Sequence, residues 1–232
     1  EIMPSLVGSE MCIRDSTKAI TINGNVGNFT FSNLSINAFI LGFNHNSSKE
    51  GTHRIHWQIG KINGTMVGLC DNQYNSNQSS NGYFNMNPNN SNSGGWKDSY
   101  MRKTLLGNSN NPTSPLANSL MAALPSDLRA VMKSVTKYTD NTGNASNSSG
   151  NVTATTDYLW LLAEFEVQGG RSYANQYEQN SQLQYDYYKA GNSKIAYKHT
   201  AVGTAVWWWL RSPNYNNTSY FCSVHSSGGN NY

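Results

Sequence analysis

Asp157, Glu164 and Glu166 lie within ten positions of one another. Glycoside hydrolysis needs two carboxyl groups about 5–10 Å apart, one acting as acid and the other as base or nucleophile. Spaced i and i+2, Glu164 and Glu166 would share one face of a strand. The element could instead be a helical turn, and they are then expected to be satisfied surface or structural glutamates. His53 and His56 raise a metal question. A spacing of three places them on opposite faces of a strand, with no carboxylate nearby in sequence. That predicts polar surface histidines and no metal site. Cys12, Cys70 and Cys222 form no CxxC pair, which argues against zinc and redox motifs. Cys70 and Cys222 either pair or stay as two buried free thiols. The expectation is no catalytic residue, no cofactor and no enzymatic activity.

Binding chemistry has better candidates at the end of the chain. Trp207-Trp208-Trp209-Leu210-Arg211-Ser212-Pro213 carries three tryptophans in succession. Successive strand side chains point to opposite faces, so the rings must serve two different layers. Pro213 restricts the backbone at the exit. A polar, aromatic tail follows. Its expected ligand contacts are Asn214, Tyr215, Asn216, Asn217, Ser219, Tyr220, Ser223, His225, Ser226, Asn230 and Asn231, with Trp208 at the base. Tyrosine supplies rigid amphipathic area, and asparagine both donates and accepts hydrogen bonds. Trp96, Trp209, Leu210, Arg211, Pro213, Phe221, Cys222 and Val224 are the expected scaffold. Arg211 is assigned to brace the loop through backbone carbonyls.

The elements that must position these residues are short. Ile20-Thr21-Ile22, Phe29-Thr30-Phe31 and Ile36 to Phe43 read as strands, with a turn at Asn23-Gly24. Ile55, Trp57 and Ile59 alternate on one face. Asn63-Gly64 then turns the chain into Met66 to Cys70, a β-hairpin. Residues 71–95 form a long Asn/Ser/Gly loop. Helical stretches are expected near Asp98–Leu106, Leu116–Ala123 and Pro125–Met132, the last with a buried Leu128/Val131/Met132 stripe. Val135–Thr139 reads as a strand, as does the apolar run Tyr158–Leu162. Tyr173, Tyr177, Tyr185, Tyr187 and Tyr188 suit either an interface or a core with solvent-reaching hydroxyls.

In a chain of 232 residues only 12% are charged, about half the usual share. Asparagine is roughly one residue in seven. With 12% aromatics this is a folded, loop-rich chain with an uncharged polar surface. The net charge of +3 includes no basic run, which argues against nucleic acid as partner. No apolar run approaches the roughly 20 residues of a membrane helix. Residues 1–16, EIMPSLVGSEMCIRDS, differ in character from the rest and resemble a translated sequencing-adapter artefact, too charged for a signal peptide. Residues 17–232 are then expected to form a single domain, with the C-terminus cut short.

Gly94-Gly95-Trp96, Leu124-Pro125 with Leu128 to Val131, the run Val152 to Leu162, and above all Trp208 to Pro213 with Phe221-Cys222-x-Val224 resemble a bacterial and phage family, the domain of unknown function 6273, over about residues 38–232. The resemblance implies an α+β, C-type-lectin-like fold of the formylglycine-generating-enzyme type. It implies ligand display on a virion or bacterial cell surface. The partner would be a protein or carbohydrate on a cell surface, and homo-oligomers are open. Related proteins are diversified by retroelements that randomise adenines in a C-terminal repeat, and the tail is rich in the residue types this yields. The calcium-binding motifs E-P-N, Q-P-D and W-N-D are missing, as is a pair of catalytic cysteines.

Overall fold

A computed structural model describes residues 16–69, 84–107 and 109–232. The proposed artefact segment up to Asp15, Cys12, Cys70 and most of the 71–95 loop lie outside them. The architecture is α+β. Strand β1 (Thr17–Val26) pairs antiparallel with β2 (Phe29–Phe43), turning at Gly27, whose φ is 58°. This is one long hairpin. Asn23-Gly24 is not its turn but lies inside β1 opposite a bulge, where the two steps from Ile22 to Gly24 face the three steps from Leu34 to Phe31. The extra residue is in β2, where Asn33 takes a φ of 51° without ending the pairing.

Helix α1 (Ser47–Glu50) interrupts the polar loop before β3 (Ile55–Ile62) and β4 (Thr65–Gly68). The β3–β4 turn is Asn63-Gly64, with φ 49° and 80°, the two positive values a type I′ turn requires. Next come α2 (Gly95–Asp98), a π-helical turn over Met101–Leu105, α3 (Leu120–Ala123) and α4 (Ser126–Val131). β5 (Val135–Asp140) pairs antiparallel with β6 (Val152–Asp157). Then α5 (Glu164–Gln168), α6 (Asp186–Lys189), β7 (Ala196–Lys198), β8 (Ala201–Val206), β9 (Trp208–Pro213), β10 (Phe221–Val224) and β11 (Asn230–Asn231) complete the chain. A six-stranded sheet runs β1-β2-β3-β4-β7-β8, parallel only between β4 and β7. A second sheet runs β11-β10-β9. Among the described residues no helix is long and apolar enough to cross a membrane.

Two apolar clusters fill the interior, and the tryptophan run divides between them. Trp209 packs on the cluster of Ile22, Phe31, Trp96, Met101 and Leu105. Trp208 packs on that of Phe39, Tyr185, Leu210, Cys222 and Val224. Trp207 is 50% exposed. Cys222 is buried and free.

Three sequence expectations are corrected. Tyr158–Leu162 is irregular backbone, because the strand there is Val152–Asp157 and ends before the apolar run. In α4, Leu128 and Met132 pack partly on the core, but Val131 is 71% exposed. At 100° per residue Val131 falls on the far side of Leu128 from Met132, and a six-residue helix buries only one narrow edge. On β3 it is His56 that points inward, while Ile55 and Trp57 face out.

Gly143 has φ 64°, and a Cβ there would lie 2.0 Å from the Asn92 carbonyl oxygen. Gly143→Ala is expected to cost about 2 kcal/mol or more in urea unfolding. Gly170→Ala, where nothing lies within 4 Å, serves as the control and stays near wild type.

Candidate binding surface and the buried network beneath it

β9 carries Arg211 into the interior, where its guanidinium has no solvent exposure. It donates to both carboxylate oxygens of Glu166, at 2.5 and 2.8 Å. It also donates to Thr139 Oγ1 at 2.7 Å and the Leu161 carbonyl at 2.8 Å. The carbonyl it meets, Leu161, lies outside the display loop, and its principal partner is a carboxylate. Glu166 sits in the first turn of α5 and also accepts from the Ala163 amide. Lys137, fully buried on β5, contacts Glu166 at 2.6 Å, Glu50 at 2.8 Å and the Tyr185 hydroxyl at 3.2 Å. His56 Nδ1 lies 2.9 Å from that hydroxyl, and the His45 ring stacks on Tyr185.

The neighbouring residues extend the network toward the tail. Glu178 accepts from Ser212 Oγ at 2.6 Å and from the Asp140 amide at 2.9 Å. Glu164 accepts from the amides of Ser172, Tyr173 and Ala174. Asp157 is held by Arg102, Trp96 Nε1 and Thr155. All three candidate catalytic carboxylates are therefore enclosed and occupied by internal donors. His45, Glu50 and Glu166 bring metal-ligand atoms within 4.8 Å of one another. The Lys137 ammonium already stands against both of those carboxylates as their cation.

Burial governs the titration of this interior. It pushes Glu50 and Glu178 up to about 7 and lowers His45 to about 4 and His56 to about 3. Burial also pulls Glu166 upward, but the charges of Arg211 and Lys137 outweigh it and hold the group well below the usual carboxylate range.

Above the network lies the tail. Asn92 is fully buried and holds residues 214–220 from beneath. Its side-chain amide donates to the carbonyls of Asn217 at 2.6 Å, Tyr220 at 2.8 Å and Asn214 at 3.4 Å. Its own amide donates to the Thr218 carbonyl. The outward side chains form an aromatic group. Tyr232 lies 4.7 Å from Tyr173 and 5.4 Å from Tyr220, ring to ring, and Tyr220 and Tyr232 are each 44% exposed. The Arg171 guanidinium covers the Tyr215 ring. Asn216 is exposed and Ser219 half-buried in the same loop. Asn230 joins through Ser172, and Asn231 precedes Tyr232.

The expected contact residues do not all meet. His225 and Ser226 belong to the β10–β11 turn, with Trp207 against His225, at the other end of β10. Trp208 is committed to packing, its indole N–H donating to the Lys194 carbonyl. Asn214 and Ser223 are buried, which corrects their assignment as contacts. β10 is the central strand of its sheet and all four of its residues are enclosed, so Ser223 cannot face out. Asn214 bridges to Ala174 and accepts from the Asn216 amide. The scaffold residues Trp96, Leu210, Arg211, Pro213, Phe221, Cys222 and Val224 are buried, and Trp209 is half-buried. Tyr173, Arg171 and Tyr232 were not among the expected contacts. Tyr173 alone had a signal, in the tyrosine-rich stretch.

The profile of a domain of unknown function (DUF6273) matches residues 70–232. The chain belongs to the DUF6273 family. Comparison with curated proteins and with solved structures gives no match. The DUF6273 segment contains Asn92, Lys137, Glu166, Arg211 and the whole tyrosine surface. His45, Glu50 and His56 precede it, so the connection between β2 and β3, with β3 itself, supplies the other half of the buried network.

Two outcomes follow from these contacts. Asn92→Ala removes the side-chain donor to the Asn214, Asn217 and Tyr220 carbonyls, the last of which keeps the Asn214 amide, and the acceptor of the Asn144 amide, and is expected to cost about 2–3 kcal/mol. It should also speed hydrogen exchange selectively across residues 214–220. For Glu178, a folded value near 7 against 4.5 unfolded means that folding takes up a proton between those limits. Its contribution is present at low pH and lost as pH rises through about 7. Glu178→Gln removes that dependence. The urea midpoint of wild type, relative to the variant, should rise between about pH 8 and about pH 5.

Proposed function

We propose that this chain is a non-enzymatic binding module of C-type-lectin-like architecture, displayed on a bacterial surface or a virion, that grips a protein or carbohydrate ligand with its tyrosine surface. One observation carries the reading. Tyr173, Tyr215, Tyr220 and Tyr232 stand at the surface beside one another, on backbone that is fixed from below by other residues. Rigid aromatic rings flanked by amides make contacts with little entropy to lose on binding. The small three-stranded sheet, short helices and long loops are compatible with a C-type-lectin-like fold. Retroelement diversification fits the same division, since side chains at 215, 216, 219 and 220 can change without removing a buried bond.

An enzymatic reading finds less support, because Asp157, Glu164 and Glu166 are already saturated by internal donors. The test uses a glycan array and intact bacterial cells as probes. Tyr215→Ala/Tyr220→Ala should abolish retention that wild type shows, with Tm within about 2 °C of wild type, as expected for surface positions. Retention unchanged by the double variant would move the binding site elsewhere.

A further inference from the structure

Lys137 is fully buried, and its ammonium meets Oε1 of Glu50 at 2.8 Å and Oε1 of Glu166 at 2.6 Å. The Trp160 and Tyr185 rings wall this site, each with its centroid 5.3 Å from Nζ. Glu166 has a complete counter-ion in Arg211, bound through both oxygens. Lys137 and Glu50 are therefore a second ion pair, removed from water, in which the ammonium is shared between Glu50 and Glu166. Keeping such a pair ionised in the interior opposes folding. Glu50 is also incompletely satisfied. Its Oε2 has no hydrogen-bond partner among the described residues, and His56 Nδ1 stands 3.6 Å from it.

We propose that Lys137 and Glu50 condense into an intramolecular isopeptide bond, with Glu166 carrying the proton. The step balances within the cluster. One ammonium proton passes to Oε1 of Glu50, leaving a neutral amine and a neutral acid, the forms that an apolar enclosure favours. Nζ attacks the Glu50 carboxyl carbon and forms the C–N bond. The attacking nitrogen is now positive and more acidic. Glu166 takes its second proton and passes it to the departing Oε1 hydroxyl, which leaves as water. Nζ keeps its last proton as the amide N–H, and Oε2 becomes the amide carbonyl oxygen. No oxidant, metal or cofactor is needed.

Charge bookkeeping supports the step. Before it, Glu50, Glu166, Lys137 and Arg211 carry two charges of each sign. After it, Glu166 and Arg211 remain as one balanced pair. The tendency of Glu50 to hold a proton near neutral pH supplies the acid form. The fixed geometry replaces an encounter between two solvated groups, which is where proximity gives its large rate factors. The product would staple α1 to β5 across 87 sequence positions, closing the DUF6273 segment onto the connection between β2 and β3.

Intact-mass measurement on the full chain tests this directly. Wild type is expected to be lighter than its sequence by one water, in a fraction that grows on incubation. Tryptic digestion should give a branched peptide joining Glu50 to Lys137, with no cleavage after Lys137. Glu50→Ala should show no such linkage. Glu166→Gln should form it more slowly, and an equal rate would overturn the role of Glu166. Recovery of Glu50 and Lys137 in separate unmodified peptides overturns the proposal. So does a lost water that maps to cyclised Glu1 or to a succinimide.

Discussion

Glu166 and Arg211 face each other with no solvent contact, and four separate parts of the chain are fixed by that pairing. Arg211 ties β9 to Thr139 on β5 and to the irregular segment at Leu161. Glu166 ties the first turn of α5 to Lys137, again on β5, and through it to Glu50. Each charge has donors or acceptors on all sides, which is the condition under which a buried pair is tolerable. Losing either partner would leave an uncompensated charge, typically at a cost of 3–5 kcal/mol. A loop-rich fold whose helices, among the described residues, run to at most six residues has little regular backbone to hold its parts together. Here a specific polar interior takes that part beside two modest apolar clusters.

The network also explains which features were legible in the sequence. Turn chemistry was readable because it is local. Asn63-Gly64 requires two positive φ values, and few other pairs accept them. The two-sided use of Trp208 and Trp209 follows from strand alternation alone. The orientation of β3 does not. Alternation separates Ile55, Trp57 and Ile59 from His56 and Gln58, but it does not say which set goes in. The interior opposite His56 holds Tyr185, Glu50 and Lys137, so the polar face was the one to bury. Lys137 carried the same hidden signal, since Val135 and Thr139 flank it on one face of β5 and both are enclosed. Single-strand patterns cannot express a match that exists only between elements far apart in sequence.

The carboxylates show the same limit from the other side. Asp157, Glu164 and Glu166 look alike in the sequence, as surface or structural acids or as a catalytic group. In the fold each performs a different task. Asp157 receives an indole and a guanidinium, Glu164 collects three consecutive amides, and Glu166 balances two cations. What assigns them is the set of donors converging on each, and only two of those donors, the Thr155 hydroxyl bonded to Asp157 and the Ala163 amide bonded to Glu166, are near neighbours in sequence.

The tail was read as an alternation of variable contacts and fixed scaffold, and the geometry redraws that boundary. Asn214 and Asn217 each accept a hydrogen bond from the amide two residues ahead, at 2.8 and 2.7 Å. Such side-chain turns set the path of the backbone, a task open to Asn, Asp and, more weakly, Ser. Their carbonyls meanwhile bind Asn92. Two of the tail's asparagines thus shape the loop, while Asn216 and the tyrosines on either side face outward. A surface built this way separates its constraints by atom type: backbone carbonyls are committed inward, and the outward side chains stay free of buried obligations. Residue composition alone could not make that separation, because the same residue type, asparagine, stands on both sides of it.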